Sequence, residues 1–221
     1  MATRFYLPSS GAAAVTPAYS AAWDVTSSAV QLRTSPTKAS TTMTTISYLD
    51  NNDQDRDILA VQYISDPIVA QLIDVSTVKF QIRASETSNA RNMFTAIRLR
   101  VCSNDGTTFT GGLLALTRDD TEMATSLTNR QFSAAITAVT ANEGDRIIIE
   151  IGGGGNPALD SDHDHKLRVG DEASSDLPED DTDTNDYNSW VQFTHDITFQ
   201  SAPSEVIQDI ISNNSFWATP R

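Results

Sequence analysis

The chain has 221 residues, is 39% hydrophobic and 20% charged, and carries a formal net charge of −14 with an isoelectric point near 4.4. Its apolar residues gather in periodic runs, which excludes a disordered chain and suits one large all-β domain. So acidic a balance argues against nucleic acid and anionic membrane surfaces as partners, because phosphate contacts need clustered Lys and Arg. A single cysteine, Cys102, excludes an internal disulfide, and no apolar stretch approaches the length of a membrane span.

Residues 1–25 contain Pro8, Gly11 and Pro17, which oppose helix. They are spiked with Phe5, Tyr6, Tyr19 and Trp23. They read as an extended N-terminal arm, with Phe5 and Tyr6 as anchors for a partner. Residues 28–48 are rich in Ser and Thr, with weakly patterned strands around Val30/Leu32 and Met43/Thr45. After a polar turn over residues 50–57, the run Ile58–Ile64, stopped by Asp66-Pro67, predicts a buried strand.

Val78–Arg83 and Ile97–Val101 alternate cleanly. Val78, Phe80, Ile82, Ile97, Leu99 and Val101 face inward; Lys79, Gln81, Arg83, Arg98 and Arg100 face outward. Residues 84–93 between them read as a polar loop. Asn104-Asp105-Gly106 is a turn. Leu113–Leu116 predicts a short strand, and Asp119-Asp120 could cap one helical turn over Glu122–Leu127. Phe132–Val139 is strand-like. Arg146–Ile151 is the strongest β-branched run, and Gly152–Gly155 reads as the flexible turn that ends it.

Leu167-Arg168-Val169 predicts a strand that enters an acidic loop at Gly170. The chain returns through Trp190–Phe199, with Val191, Phe193, Ile197 and Phe199 on one face. Eleven acidic residues lie between Asp160 and Asp186, against Lys166 and Arg168. Such a loop is solvated, ion-binding or partner-facing. Beyond Ser201, Val206, Ile207, Ile210 and Ile211 recur at helical spacing behind Ser204, and Phe216-Trp217 follows. These elements predict an all-β, antiparallel β-sandwich of jelly-roll type over residues 26–200, flanked by the arm at 1–25 and a docking tail at 201–221.

The candidate chemistry is sparse. Asp160, Asp162 and Asp164 alternate with Ser161, His163 and His165, so three hard carboxylates could converge on Ca²⁺. A solvated acidic loop is the plainer reading, and no other cofactor is expected. Asp53, Asp55 and Asp57 share that spacing. His195 shares the parity of Val191 and Ile197 and reads as a core or subunit-boundary histidine. The acidic pairs Asp180/Asp181 and Glu179/Asp183 lack the apolar surroundings that raise a catalytic carboxyl. With no nucleophile elbow and no HExxH, the chain reads as not an enzyme. Lys79, Arg83, Arg98, Arg100 and Arg146 could form a basic sheet face suited to the acidic loop 171–186 of another copy. Tyr187 beside Trp190 is the best candidate platform for a sugar face or other partner. Phe216 and Trp217 suit an arm docked on a neighbouring subunit, or one folded back on its own core.

Six blocks carry a family resemblance: RFYLPSSGAAAVTPAYSAAWDVTSSAV, QYISDPI, VCSNDGTTF, ATSLTNRQF, GDRIIIEIG and LRVGDEASSDLPEDDTDTNDYNSWVQF. Over residues 4–199 the chain resembles small structural proteins of tailed bacteriophages. The resemblance implies a β-sandwich virion component, either a capsid decoration protein or a tail-associated one. Its expected partners are the major capsid protein, other virion proteins and further copies of itself, as in a trimer. Its expected location is the virion, after synthesis in the host bacterial cytoplasm. The alternative is a receptor- or carbohydrate-binding sandwich on a tail fibre.

Overall fold

The computed structural model describes residues 2–50, 55–88, 92–155 and 163–201. In chain order the strands are β1 (Thr3–Tyr6), β2 (Val30–Arg33), β3 (Thr44–Asp50), β4 (Arg56–Ile64), β5 (Gln71–Ile73), β6 (Ser76–Ser85) and β7 (Met93–Cys102). They continue with β8 (Phe109–Glu122), β9 (Thr128–Ile136), β10 (Val139–Ala141), β11 (Arg146–Gly155), β12 (His163–Val169) and β13 (Trp190–Phe193). Among the described residues there is no helix.

The strands build two main sheets. In the first, β6 is the spine. One edge pairs along its length with β9. The other edge is shared, with β13 against Val78–Gln81 and β12 against Arg83–Ser85. β1 extends the sheet beyond β13, and β3 extends it beyond β12. The second sheet runs β2-β4-β11-β7-β8, antiparallel except where β2 lies parallel to β4. A two-stranded ribbon, β5 with β10, completes the described architecture.

The period of two decides what faces what. Val78, Phe80, Ile82, Leu167, Val191 and Phe193 of the first sheet join one core cluster with Ile97, Leu99, Val101, Ile147, Ile149 and Ile151 of the second. Two sheets sharing one apolar interior make a β-sandwich. Strand β4 stays in phase through a bulge. Ile151 sits opposite Val61 and Gly152 opposite Leu59, so Ala60 is the extra residue. The bulge lets Ile58 and Val61 both contribute to the core despite their odd spacing.

Several expectations are corrected. Gly152–Gly155 is no turn: it continues β11, paired with β4 on one side and β7 on the other. Its glycines answer a close approach, since a Cβ on Gly152 would overlap the Ile58 carbonyl oxygen and one on Gly155 the Asn92 carbonyl. Leu113–Leu116 is the middle of the 14-residue β8, which runs through Asp119-Asp120 to Glu122, and the helical turn expected over Glu122–Leu127 does not form. Strand pairing along β7 outweighs the local capping signal of Asp119-Asp120. The return strand is cut short, because β13 stops at Phe193. Beyond it, Ile197 N–H donates to Thr3 Oγ1 and Phe199 bridges to Ile68, which carries the segment to the sandwich edge. Residues 3–6 are not part of a free arm either. They form β1 inside the first sheet, with Phe5 at 0% exposure.

Candidate functional site

The acidic loop is a strap over the outer face of the first sheet. It leaves β12 at Gly170, whose φ of 131° favours glycine, and whose N–H donates to Leu7 O. Asp171 then accepts from the Thr41 N–H at 2.6 Å and the Thr41 hydroxyl at 2.7 Å. Asp176 is a four-way clasp. It accepts from Arg4 at 2.9 Å, the Tyr6 hydroxyl at 3.0 Å and Asn188 at 2.9 Å, and pairs with Lys38 at 2.8 Å. Lys79 holds Glu179 at 2.7 Å. Asp186 bridges Arg83 at 2.8 Å and Arg168 at 2.5 Å. The Trp190 indole N–H closes the strap by donating to Leu177 O.

This arrangement corrects the expected docking of the loop on another copy. Lys79 and Arg83 do form a basic face that takes acidic residues 171–186, but the acids are the chain's own. Tethering makes the intramolecular pairing far more concentrated than a second molecule can be. Burial pushes the Asp176 carboxyl up, yet hydrogen bonds from Asn188, Lys38, Tyr6 and Arg4 together hold it below its ordinary value. The Arg168 guanidinium likewise draws Asp186 down against its burial, helped by Arg83.

The outer face of the second sheet is covered by residues 10–29. Glu150, on β11 between Gln62 and Arg98, is fully buried beneath them. Its carboxylate accepts from the Ser20 N–H at 3.0 Å, the Trp23 indole at 3.1 Å, Gln62 at 2.9 Å and Arg100 at 2.6 Å. Arg100 also donates to Ala18 O. Trp23 packs on Leu59 and Ala96, with Tyr19, Ala29 and Leu116 around them. The expected exposed basic face therefore does not exist here either. Arg100 is buried under the chain's own segment, Arg146 donates to the Asn104 and Ser65 carbonyls, and Arg98 is half-buried. Glu150 was missed in the sequence. Its signal was a lone carboxylate inside the apolar run Ile147–Ile151, where burial demands partners.

The other predicted residues divide. Phe5 and Trp190, expected to bind partners, are core: Phe5 stacks edge-on against Phe193 and Phe199, and Trp190 is 1% exposed under the Arg4 guanidinium, 3.9 Å from the ring centre. Tyr6 is half-buried and spent on Asp176, and Tyr187 is half-buried in the strap. Phe216, Trp217, Asp160, Asp162 and Asp53 lie outside the described residues, as does the Asp164 side chain, whose backbone belongs to β12. Asp55 and Asp57 pair with Arg118 at 2.8 and 2.7 Å. Among the described residues no three His, Cys, Asp or Glu side chains converge on a metal position. His195 accepts or shares a hydrogen bond with Ser76 at 2.9 Å, and its burial lowers its pKa against the pull of Asp74 and Asp196.

Where β8, β9 and the strap meet, Arg118, Asp119, Asp120, Gln131, Ser133 and Asp181 surround a groove of about 550 Å³. Asp119 is 5% exposed, 3.3 Å from Arg130. Burial pushes its carboxyl up despite that guanidinium. Asp181 is tied to the groove wall by the Gln131 N–H at 3.0 Å. The groove thus offers carboxylate and amide acceptors and donors over a polar floor, the vocabulary of a hydroxyl-rich ligand.

No family model matches the chain, and no curated protein matches it. Among solved structures, it is similar to an aminopeptidase from a marine sediment archaeon (Thaumarchaeota archaeon), at 6% identity and a TM-score of 0.50, over 87% of this chain and 36% of that one. It is also similar to a CocE/NonD family hydrolase from Staphylococcus aureus, at 10% identity and a TM-score of 0.47, over 90% of this chain and 36% of that one. An α-amino acid ester hydrolase aligns at 10% identity and a TM-score of 0.44, over 87% and 36%. The chain therefore spans about a third of the length of each. The expectation that the chain is not an enzyme is corrected by this finding. The aminopeptidase that it matches in fold is an enzyme, so the all-β architecture gives no ground for excluding catalysis. At such identities the likeness is one of fold alone, and it assigns no residue a catalytic role.

Proposed function

We propose that this chain is a structural protein of a tailed-phage particle, a capsid decoration protein of jelly-roll type that binds the major capsid protein in many symmetric copies. The observation that carries the reading is the double cover. Segment 10–29 lies on one sheet through Glu150 and the strap lies on the other through Asp176 and Asp186. A stiff body with its loops bound flat can present a constant surface to a lattice, and many weak contacts then add up over the symmetric copies. The sequence blocks resembling phage structural proteins, over residues 4–199, supply the context. Mass spectrometry of purified particles tests it. Hundreds of copies per particle, with particles lacking the chain losing heat stability, support decoration. A handful of copies, or none, sinks it.

One observation favours a second reading, a receptor- or carbohydrate-binding sandwich. The groove of Asp119, Asp120, Gln131, Ser133 and Asp181 is polar and of ligand size. The variant Asp120→Ala/Gln131→Ala separates the two. Lost glycan or cell adsorption with particle stability intact supports recognition, and unchanged adsorption counts against it.

A further inference from the structure

Strand β9 has one edge on β6 and a second edge that no described strand pairs with. The ladder fixes which amides face that second edge. In an antiparallel pair, successive residues turn their N–H groups alternately to the partner and away from it. The Asn129 N–H donates to Asp183 O, and the Gln131 N–H to an Asp181 carboxylate oxygen at 3.0 Å, both in the strap. The Thr137 N–H, just past the strand, donates to Leu113 O of β8. These three point away from β6, so Ser133 and Ala135, of the same parity, point away from it too. The strap thus occupies the first half of the edge and β8 closes its far end. Between them lies a slot two amides wide, its N–H groups about 7 Å apart, with Ser133 and Ala135 exposed. Ser133 and Gln131 also line the groove of about 550 Å³ described above, so the slot opens into that groove.

An open strand edge is ordinarily blunted by a charge, a proline or a bulge. Residues 131–137, QFSAAIT, contain neither charge nor proline. The β6–β9 register runs without a shift from Ser76↔Ile136 to Ala84↔Thr128. Ser133, Ala134 and Ala135 are small, which leaves room for a further strand alongside.

The rim sets the chemistry of that strand. Asp120 and Asp181 are exposed at the groove. The cations around them are committed elsewhere: Arg118 to Asp55 and Asp57, Arg130 to Asp119, and Lys79, opposite Ser133 in the ladder, to Glu179. The slot is therefore uncapped and negative. A second copy brings its own net charge of −14, which opposes the pairing of two such edges.

We propose that the outer edge of β9 accepts an extended, lysine- or arginine-bearing segment of another protein. That segment adds a strand through the Ser133 and Ala135 amides and sets its cations on Asp120 and Asp181. The inference goes beyond both functions proposed above and holds whichever of them is right. It differs from the glycan reading of the same groove, because a glycan is held by the Asp120 and Gln131 side chains and a strand by backbone.

Amide hydrogen exchange followed by NMR on the full chain tests it, with the hexapeptide KTKVKT in excess as probe and ETEVET as its acidic counterpart. The expected result is exchange at Ser133 and Ala135 slowed at least tenfold by KTKVKT and not by ETEVET, with β7 and β11 unchanged. Ser133→Pro removes an outward donor and spares the β6–β9 ladder, whose bonds lie on the other edge. It should weaken KTKVKT at least tenfold. Asp120→Asn/Asp181→Asn leaves the backbone intact and keeps an acceptor for the Gln131 N–H, and it should weaken the peptide by a similar factor. Unslowed exchange at both amides overturns the proposal, as does equal slowing by ETEVET. Slowing that appears without peptide as the protein is concentrated places a second copy on the edge, and overturns it too. Peptide binding that survives Ser133→Pro but not the asparagine variant, without amide protection, assigns the groove to side-chain recognition and also sinks it.

Discussion

The Glu150 carboxylate lies 2.6 Å from the Arg100 guanidinium with no solvent exposure, and both are pinned by the segment that crosses above them. Removing one member of a buried pair leaves the other charge stranded, at a cost of about 3–5 kcal/mol. Glu150→Ala should lose that much in urea unfolding. Glu150→Gln should lose less, because an amide oxygen can still accept from Trp23 or Ser20. The double change Glu150→Leu/Arg100→Met should recover most of the loss, since replacing both charges removes the stranded group as well as the attraction. If the double variant is as unstable as Glu150→Ala, packing of the segment rather than charge is the cause.

Glycine supplies a sharper steric test. A Cβ on Gly152 would meet the Ile58 carbonyl oxygen, a backbone atom fixed by the β4–β11 ladder. Gly152→Ala should therefore destabilise by about 3 kcal/mol, near the upper end of ordinary overpacking. Gly112→Ala is the control, because the nearest neighbour of its Cβ would be the edge of the Phe109 ring at 3.7 Å, ordinary contact with an exposed side chain. It should change the unfolding midpoint by far less. Equal losses at the two positions would mean that backbone entropy, not the close approach, governs both.

How much of this was legible in the sequence depends on where the information resides. Val78–Arg83 and Ile97–Val101 alternate because each strand has one face on the core, and local periodicity reports that directly. Val191 and Phe193 face inward for the same reason. The acidic loop and the basic face were visible as complementary charges, but their pairing within one chain was not. Complementarity says that Asp186 needs a cation; only the course of the chain says that Arg83 and Arg168 are within reach. Gly152–Gly155 misled because four glycines signal a turn unless both neighbours are known to be backbone. Phe5 and Trp190 misled because an aromatic near Pro, Gly or Asp looks exposed, and nothing local shows the strand pairing Tyr6↔Trp190 that buries them.

Cys102 offers a reporter that needs no engineering. It is 2% exposed, and burial pushes its thiol up to about 11, with Asp145 and Asp105 adding to that while Arg100 and Arg146 oppose it. Thiolate is the reacting species, so the native thiol should be inert at pH 8. Modification by a thiol reagent should proceed only through opening of the strand ends, at a rate that rises with added urea in step with unfolding. Rapid labelling in the native state would show that β7 frays at Cys102.

The strap sets the acid limit of the fold. Asp176 and Asp186 both have folded pKa values held below the ordinary carboxylate value, so the unfolded chain binds their protons more readily. Their contribution is then complete above the unfolded value, about 4, and is lost as pH falls through the lower folded values. Asp119 runs the other way: its carboxyl is raised by burial, so its contribution is present at low pH and is lost as pH rises through the folded value. Asp105, Glu143 and Asp180 are held low as well, so the lowered carboxylates outnumber Asp119 five to one and the melting temperature should fall steeply below about pH 4. Asp176→Asn/Asp186→Asn should lower stability at pH 7 but flatten the acid limb, so the two curves converge near pH 3. The same variant should expose residues 171–188 to limited proteolysis at neutral pH while β11 stays protected. Curves that remain parallel down to pH 3 would show that the ion pairs of the strap contribute nothing, and that Leu177 and Trp190 hold it in place by packing alone.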